Sequence, residues 1–298
     1  ARNCLVHLPS FSRDGSGIVP PTPEFFNAAA LDYDFDPQAP RPVEWLRFLD
    51  SLWNADPESI DCLQEIFGYH LHGEPIHEKI FLHVGPMRSG KGTIARTLRH
   101  MIGLSNVAGP TMASLASNFG LHPLVGKTAA IIDDARLSSK TDRAAAAERL
   151  LSISGRGELT VDRKYRDPVT TTLSTRISIL SNELPRLPDA SGAIASRFVV
   201  LRYARSFVGR EDTGLSARLL RELPGILLWA IEGRKRLDAR GRFIQPESGK
   251  ELVDEVRDLA SPVGVFFRDC CEVDPTGEGT PTSTIHQAYK EWCFRTAN

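Results

Sequence analysis

The sequence contains no run of 18 or more apolar residues, no marked excess of either charge and few cysteines. Without such an apolar run we expect no membrane-spanning helix, and no signal peptide is recognisable at the amino end. The cysteines form no CxxC pair and no zinc-like spacing, which favours reduced thiols in a cytosol-like compartment. They are Cys4, Cys62, Cys270, Cys271 and Cys293.

The charge balance does not identify a partner. The 298 residues include 36 Lys and Arg against 37 Asp and Glu, for a net charge of -1. Any contact with nucleic acid must therefore come from a local basic patch. The hydrophobic fraction of 41% is ordinary for a globular protein with a buried core. Because the chain begins with Ala1 and a strand-like segment at residues 3–6, we expect it to be part of a longer protein.

The first 76 residues predict a loop-rich segment followed by a helical module. Residues 1–41 are rich in Pro, Gly, Ser and Asp, which is typical of hairpins and loops. From Pro42 onward, apolar residues recur at spacings of three and four, as along one face of a helix. A second helix is expected from Asp56-Pro57, where a cap precedes a proline, to Gly68. The face of the first helix carries Val43, Leu46, Leu49 and Trp53.

Four short apolar segments predict a mostly parallel sheet in the middle of the chain. Turn residues bound them, and helical or hairpin-forming segments separate them along the chain, which is typical of an α/β fold. Continuous apolar runs of this length are expected for strands buried on both faces. The four segments are residues 80–84, 128–132, 176–180 and 198–201.

A glycine-rich segment lies between the first predicted strand and a helix. Backbone N–H groups of such a segment wrap a phosphate, and the positive end of the following helix favours the same anion. Lys91 is expected to reach the β- and γ-phosphates of ATP. Ser or Thr usually follows this lysine directly, but here Gly92 intervenes, so Thr93 is the predicted Mg²⁺-side hydroxyl. The predicted nucleotide-binding residues are Gly85, Pro86, Met87, Arg88, Ser89, Gly90, Lys91, Gly92 and Thr93.

Two acidic residues follow the second apolar strand directly, about 40 residues after the glycine-rich segment. A carboxylate beside a phosphate-binding loop holds Mg²⁺ and polarises the attacking water. We assign Asp133 to the metal and Asp134 to activation of the water, and the reverse assignment stays open. Cofactors of this predicted site are ATP and Mg²⁺.

Two further polar residues stand at strand ends. Asn182 follows the third apolar strand, where a polar side chain is able to orient water near a γ-phosphate. Arg197 precedes the fourth strand, and an arginine supplied to a neighbouring subunit's nucleotide stabilises charge in the transition state. A turn asparagine and a solvated surface arginine are the ordinary alternatives for these positions.

In this order and at these intervals, the four elements resemble those of superfamily 3 helicases. The resemblance is closer to the phage and plasmid primase-helicase family, including its D5-like poxvirus relatives, and it extends over most of the chain. Matching segments are Tyr33–Pro37 and Leu63–Tyr69 in the amino-terminal module, Ser181–Pro185 at the sensor strand, Ser196–Phe198 at the arginine finger, Leu223–Ala230 behind the finger and Ser261–Phe294 in the tail.

The resemblance implies an AAA+-like P-loop core with a parallel sheet. It divides the chain into a helical module (1–76), the ATPase core (77–206), a helical segment behind the finger (207–258) and a winged-helix-like tail (259–298). It implies an ATP-dependent DNA helicase of phage or plasmid replication that hydrolyses ATP between subunits, as a hexamer with a linked or partnered primase-polymerase. The implied location is the bacterial host cytosol or a viral replication site, with no membrane partner.

The family places a DNA-contacting hairpin between the acidic pair and the sensor strand, which corresponds here to residues 157–172. In a ring, such hairpins line the channel and follow the backbone of one strand, with Tyr165 stacking on a base. Where the family often has Gly-Glu-Asp, this chain has Gly155-Arg156-Gly157-Glu158, which leaves the register of the hairpin open. The predicted DNA-binding residues are Arg163, Lys164, Tyr165 and Arg166.

Two other classes of function remain compatible with the motifs. A small-molecule phosphotransferase is one, because Gly90-Lys91-Gly92-Thr93 also occurs in nucleoside monophosphate kinases. Those enzymes begin almost at the glycine-rich loop, whereas about 80 residues precede it here. The other class is a non-enzymatic nucleotide switch or origin-binding module, in which the tail binds duplex DNA through a helix or binds a partner protein.

Overall fold

The computed structural model describes residues 1–25, 30–71, 75–135, 142–189, 192–272, 277 and 279–296. The strands are β1 (Leu5–Val6), β2 (Ile18–Val19), β3 (Ile80–Val84), β4 (Val107–Ala108), β5 (Ala129–Ile132), β6 (Glu158–Arg163), β7 (Arg166–Thr172), β8 (Arg176–Ser181) and β9 (Phe198–Arg202). The helices are α1 (Leu8–Asp14), α2 (Val43–Trp53), α3 (Pro57–Tyr69), α4 (Lys91–Ile102), α5 (Met112–Leu115), α6 (Arg143–Ser154), α7 (Ala193–Arg197), α8 (Leu215–Arg221), α9 (Leu223–Arg240), α10 (Glu247–Ala260), α11 (Pro262–Cys270) and α12 (Thr282–Thr296).

The centre of the fold is a five-stranded, fully parallel sheet in the order β4-β5-β8-β3-β9. Strand β8 separates the strand before the glycine-rich loop from the strand before the acidic pair. Because the strands are parallel, their carboxyl ends share one edge, where ligands bind in open α/β sheets. The predicted α/β fold with an AAA+-like parallel sheet is therefore confirmed, and β4 adds a strand that the sequence did not predict.

Side chains of the sheet alternate between two hydrophobic cores. Phe81 and Ile131 face the core that includes α2, α3, α4 and α9, whereas Leu82 and Ile132 face the core that includes α6 and α10. All four side chains are fully buried. Burial on both faces explains why the strands read as continuous apolar runs rather than as alternating patterns.

The amino-terminal helices pack closely against α9. At Gly68 an added Cβ would lie 2.4 Å from the carbonyl oxygen of Ala230, and at Gly233 it would lie 2.3 Å from that of Gln64. Helices α3 and α9 therefore touch through their backbones, which only glycine permits at these two positions. The predicted segments 1–76 and 207–258 consequently share one hydrophobic core, and the domain boundaries stay predictions.

The amino-terminal predictions need small corrections. The strands β1 and β2 pair antiparallel, as a hairpin prediction implies, but α1 lies between them and was not predicted. Helix α2 buries Trp45, Phe48, Leu49, Leu52 and Trp53. Val43 is exposed, because it is the first residue of the helix and lies ahead of the packed turns.

The tail is helical where it is described. Helices α11 and α12 are held together by an aromatic cluster in which Phe266 contacts Tyr289 and Trp292 at ring distances of 5.4 and 5.9 Å. The described residues of this tail contain no strand, and the winged-helix-like prediction remains untested. Across the described ranges, no helix combines the length and apolar character needed to cross a bilayer.

Candidate functional site

The glycine-rich loop connects β3 to α4 in a tight turn. Gly90 precedes the helix with a φ of 92°, a region that glycine adopts without steric cost. An added Cβ there would also meet Leu52 Cδ2 at 3.0 Å. At Gly85 a Cβ would lie 2.3 Å from the Tyr203 carbonyl oxygen. Both glycines are therefore required by close approach of α2 and of the end of β9.

The Lys91 amine lies at the centre of this loop. It donates hydrogen bonds to the carbonyl oxygens of Gly85 at 2.6 Å and Pro86 at 2.8 Å, and to Ser89 Oγ at 3.1 Å. It also donates to Asn182 Oδ1 at 3.2 Å. Burial lowers the pKa of Lys91, because removal from water disfavours the charged amine. The structure thus brings together the loop lysine and the asparagine at the end of the neighbouring strand β8.

A cavity of about 1010 Å³ opens beside the loop at the carboxyl edge of the sheet. Its wall includes Lys91, Thr93, Asp133 and Asn182, together with parts of α2, α4 and residues 207–218. This volume lies at the upper end of the usual range for small-molecule sites, about 300–1,000 Å³. Five of the seven other residues of the glycine-rich segment also line the cavity: Met87, Arg88, Ser89, Gly90 and Gly92. Gly85 and Pro86 are not part of the described cavity wall, and their carbonyl oxygens accept hydrogen bonds from the Lys91 amine.

Asp133 contributes a carboxylate to the cavity wall. Its Oδ2 accepts a hydrogen bond from Arg99 Nη2 at 2.8 Å, and the Asp133 side chain remains 61% exposed. Thr93 supplies a hydroxyl to the same cavity, so the two predicted metal ligands offer oxygen donors of the kind that Mg²⁺ binds. Asp134 is exposed and is not part of the described cavity wall. Asp133 therefore lies in the described cavity wall and Asp134 does not, and the roles of both stay predictions.

Arg197 lies at the opposite edge of the sheet. It ends α7, and the next residue, Phe198, is paired with Ile80 at the amino end of β3, whereas the glycine-rich loop follows Val84 at the other end. Four strand steps of about 3.3 Å each separate these ends. Arg197 Nη1 instead donates to Glu78 Oε2 at 3.0 Å. The structure does not bring Arg197 to the cavity beside the glycine-rich loop of its own chain.

Residues 158–172 form the predicted hairpin. Strands β6 and β7 pair antiparallel with Glu158 opposite Thr172, which fixes the register that the sequence left open. Leu159 and Val161 anchor β6 in the hydrophobic core that includes α6 and α10. At the tip, Tyr165 has a φ of 61° and is 92% exposed.

The cationic side chains at this tip have different surroundings. Lys164 Nζ lies 5.1 Å from the centroid of the Tyr165 ring. Arg163 donates through Nε and Nη2 to the Asp167 carbonyl oxygen, which holds its guanidinium along the hairpin. Arg166 is paired with Arg163 across the two strands and is exposed. An exposed aromatic ring beside cationic side chains is an arrangement found in proteins that bind single-stranded nucleic acid.

The part of the cavity wall formed by α2 and α8 was not predicted from the sequence. Arg218 donates to Glu44 Oε2 at 3.0 Å and to Asp212, and its hydrogen bonds lower the pKa of both carboxyl groups. Arg96 donates to Ser216 Oγ at 2.6 Å. Arg96 and Arg99 lie three residues apart on the helix after Lys91, and this spacing could have indicated that both side chains lie on one face near the loop. The other residues come from segments more than 30 positions away from the loop.

A family described as "Family of unknown function (DUF5906)" matches residues 83–197. The match covers less than half of the chain. It runs from within β3 to Arg197 and therefore contains the glycine-rich loop, the acidic pair, the hairpin and Asn182. The parts of the cavity wall in α2 and in residues 207–218 lie outside the matched segment.

Solved structures of the NrS-1 C-terminal region are similar to this chain. Its A-form apo structure is 18% identical with a TM-score of 0.58, over 79% of this chain and 56% of that chain. An apo structure of residues 305–718 is 16% identical with a TM-score of 0.58, over 83% and 64% of the two chains. JCV helicase bound to a thiazolopyridine-containing acetamide is 16% identical over 74% of this chain and 72% of that chain, with a TM-score of only 0.39.

The similarity to the NrS-1 region establishes a shared fold. At identities below 20% it does not carry function from one protein to the other. This chain spans between half and two thirds of the length of the NrS-1 chains that it matches. The D5-like family resemblance is not tested by these similarities.

Proposed function

We propose that this chain is the ATP-driven motor of a superfamily 3 type DNA helicase. The observation that supports the proposal most strongly is the convergence of three strand ends on one cavity. The Lys91 amine contacts Asn182 at 3.2 Å, and Asp133 and Thr93 line the same cavity. A phosphate-binding loop, an acidic strand end and a polar sensor strand end are the parts that ATP hydrolysis requires.

In the proposed reaction, the loop binds the triphosphate of ATP. Lys91 neutralises the β- and γ-phosphates, and an anionic ligand beside it favours the charged amine that burial disfavours. Thr93 and Asp133 would hold Mg²⁺, which would supply positive charge beside the phosphates. Asn182 would orient a water whose oxygen bonds to the γ-phosphorus while the bond to the β–γ bridging oxygen breaks and ADP leaves. Asp134, which is exposed and lies outside the described cavity wall, would turn toward this water to accept its proton. Arg99 pairs with Asp133, and it would have to release that carboxylate for a metal to bind there.

The proposed site is completed by a second subunit. Arg197 lies at the far edge of the sheet from its own loop, so a role in catalysis requires another chain's nucleotide. An arginine supplied in this way stabilises the charge of the transferring phosphoryl group. We therefore propose a ring, with six subunits by analogy with superfamily 3 helicases, and ATP hydrolysis at each interface between subunits.

The hairpin is the proposed contact to DNA. Its exposed Tyr165 ring and the neighbouring Lys164 and Arg166 suit a single strand, which offers both base faces and phosphates. Movement of these tips, driven by hydrolysis, would carry one strand through the ring and unwind a fork. A primase-polymerase, linked or separate, is the proposed partner in phage or plasmid replication, at the host cytosol or viral replication site.

A small-molecule phosphotransferase explains fewer of the observations. It gives no role to the exposed hairpin tip or to Arg197, which lies away from the cavity. A non-enzymatic nucleotide switch gives no role to Asn182 as a group that orients an attacking water beside Lys91. Turnover and the choice of phosphate acceptor separate the three functions.

The test is steady-state ATP hydrolysis by the full chain with and without single-stranded DNA. We expect hydrolysis that rises on addition of DNA and is lost in Lys91→Ala. Lys250→Ala is the matched control, because Lys250 is an exposed lysine on α10, far along the chain from the loop. Hydrolysis that does not respond to DNA, together with phosphate transfer to AMP or a deoxynucleoside monophosphate, would establish the phosphotransferase instead. Nucleotide binding without turnover would establish the switch.

A further inference from the structure

The carbonyl groups of the glycine-rich loop accept hydrogen bonds from two different parts of the chain. Those of Gly85 and Pro86 accept from the Lys91 amine. The next two accept from a separate part of the chain: the Met87 oxygen accepts from Ser206 Oγ at 2.9 Å, and the Arg88 oxygen accepts from the Phe207 N–H at 2.9 Å. All four consecutive carbonyls from residue 85 to residue 88 are therefore held.

The segment that supplies the last two bonds, residues 203–207, is here named the strap. It is fixed at its start, where the Tyr203 N–H donates to the Val84 carbonyl oxygen at 2.7 Å. Arg205 fixes its middle by donating to the Ser51 carbonyl oxygen at 3.2 Å and to Asn54 Oδ1 at 3.1 Å. The strap thus ties the loop to β3 on one side and to the end of α2 on the other.

The strap determines which way the loop N–H groups point. In a trans peptide the carbonyl and the following N–H lie in one plane and point in opposite directions. With the Met87 oxygen turned toward Ser206, the Arg88 N–H points away from the strap. With the Arg88 oxygen turned toward Phe207, the Ser89 N–H does the same. Arg88 and Ser89 both line the nucleotide cavity, and so does Phe207 at the end of the strap.

This arrangement holds a backbone conformation that is otherwise costly. Arg88 has a φ of 56°, in the left-handed region that residues other than glycine rarely adopt. Such conformations persist where the surrounding structure imposes them. The strap bonds on both sides of the Arg88 peptide unit provide that restraint.

We propose that Ser206 is a positioning residue for nucleotide binding. Its hydroxyl holds the Met87 carbonyl outward, so that the Arg88 N–H is already aimed at a phosphate before ATP arrives. This inference rests on the proposed function, because it takes the phosphates of ATP as the ligand of the loop. Ser206 does not itself contact the phosphates, and it acts through the peptide that joins Met87 to Arg88.

The test compares Ser206→Ala, Ser206→Thr and wild type in the full chain. Binding of a non-hydrolysable ATP analogue with Mg²⁺ is measured by calorimetry, and KM and kcat are measured for ATP. Loss of one hydrogen bond, about 1 kcal/mol, corresponds to roughly fivefold weaker binding. We expect Ser206→Ala to raise Kd and KM by this factor while kcat stays within twofold. Threonine, which keeps the hydroxyl, restores both constants.

Ser117→Ala is the matched control. Ser117 also donates from its hydroxyl to a backbone carbonyl, that of Ser114 at 2.7 Å, but on the surface beside α5 and outside the cavity wall. Wild-type affinity in Ser206→Ala, or an equal loss in Ser117→Ala, would overturn the inference and leave the proposed function standing. A wild-type chain that binds no nucleotide would overturn both.

Discussion

Arg197 pairs with Glu78 of the same chain, at 3.0 Å between Nη1 and Oε2, on the opposite edge of the sheet from Lys91. Arg197 is 23% exposed in this pair, and its guanidinium also lies against Gly155, just before the hairpin. A guanidinium in this place is unable to contact a ligand in the cavity beside Lys91 of its own chain. Its proposed role therefore depends on a neighbouring subunit, and this dependence leads to a direct experiment.

Mixing two inactive variants tests whether Arg197 acts between subunits. Lys91→Ala removes the loop amine and Arg197→Ala removes the finger, and we expect each variant alone to lose at least a hundredfold in ATP hydrolysis. In a mixture, some interfaces join an intact loop to an intact finger. An equal, random mixture should recover up to about a quarter of the wild-type rate, since about a quarter of interfaces are then complete.

The control for this mixture is Arg221→Ala, an exposed arginine on α8 whose removal should not lower the rate. Absence of recovery in mixed assemblies, with each variant still able to assemble, would show that the two residues do not act on one nucleotide. Full activity of Arg197→Ala alone would exclude the finger role.

Separate variants of the acidic pair decide their roles. Asp133 lines the cavity with Thr93, so Asp133→Asn should lose Mg²⁺-dependent binding of ATP. Asp134→Asn should bind ATP with Mg²⁺ normally but hydrolyse it at least a hundredfold more slowly, as expected for a residue that acts on the water. Binding is measured by calorimetry with and without Mg²⁺, and Asp50→Asn, on the exposed face of α2, is the control. The opposite pattern would exchange the two assignments.

Removal of the hairpin ring should weaken binding to single-stranded DNA. Stacking of a base on an aromatic side chain contributes about 1–3 kcal/mol, so Tyr165→Ala should raise the Kd of a labelled oligothymidine about tenfold. Tyr165→Phe keeps the ring and should bind as wild type does. Phe119→Ala removes another exposed aromatic side chain, beside α5, and should have no effect. Equal Kd values for wild type and the three variants in anisotropy titrations would refute a stacking role for Tyr165.

Two buried histidines should lower the free energy of unfolding in mild acid. Burial lowers the pKa of His70 to about 3 and that of His83 to about 4, against about 6.5 in an unfolded chain. Above pH 6.5 both states are neutral and the effect is absent. As the pH falls below 6.5, the unfolded chain binds protons that the folded chain does not, so the free energy of unfolding decreases. Each histidine should lower it by about 2 kcal/mol at pH 5.

Denaturant unfolding between pH 8 and pH 5 measures this effect. In His83→Gln the free energy of unfolding should fall by about 2 kcal/mol less between pH 8 and pH 5 than in wild type, whatever the stability of the variant at pH 8. His122→Gln, at an exposed position, should leave the decrease as it is in wild type. A pH dependence that is identical in wild type and His83→Gln would contradict the assigned cause.

The central strands could be predicted because each is a continuous apolar run followed by turn or polar residues. The segments 80–84, 128–132, 176–180 and 198–201 correspond within one residue at each end to β3, β5, β8 and β9. Strand β4 was missed because it has only two residues and therefore no periodicity to detect. Helix α11 was also missed, since its nine residues directly follow α10 with only Ser261 between them.

The candidate site could be predicted in part. Lys91, Asp133 and Asn182 each directly follow a strand or its loop, and the parallel arrangement brings such ends to one edge. Ser206 and Arg218 gave no such signal, because a serine or arginine in a polar segment is ordinary in sequence. Their importance appears only where the chain returns to the loop after β9.

The sequence by itself determined the local elements and their motifs, because periodicity, caps and glycine positions act between residues that are close along the chain. Tertiary structure decided the strand order with β8 between β3 and β5, the choice of Asp133 over Asp134 for the cavity wall, and the distance of Arg197 from Lys91. These features depend on contacts between residues about 100 positions apart, such as the 119 positions between Met87 and Ser206. Such contacts are set by how sheet and helices pack together, which no local pattern specifies.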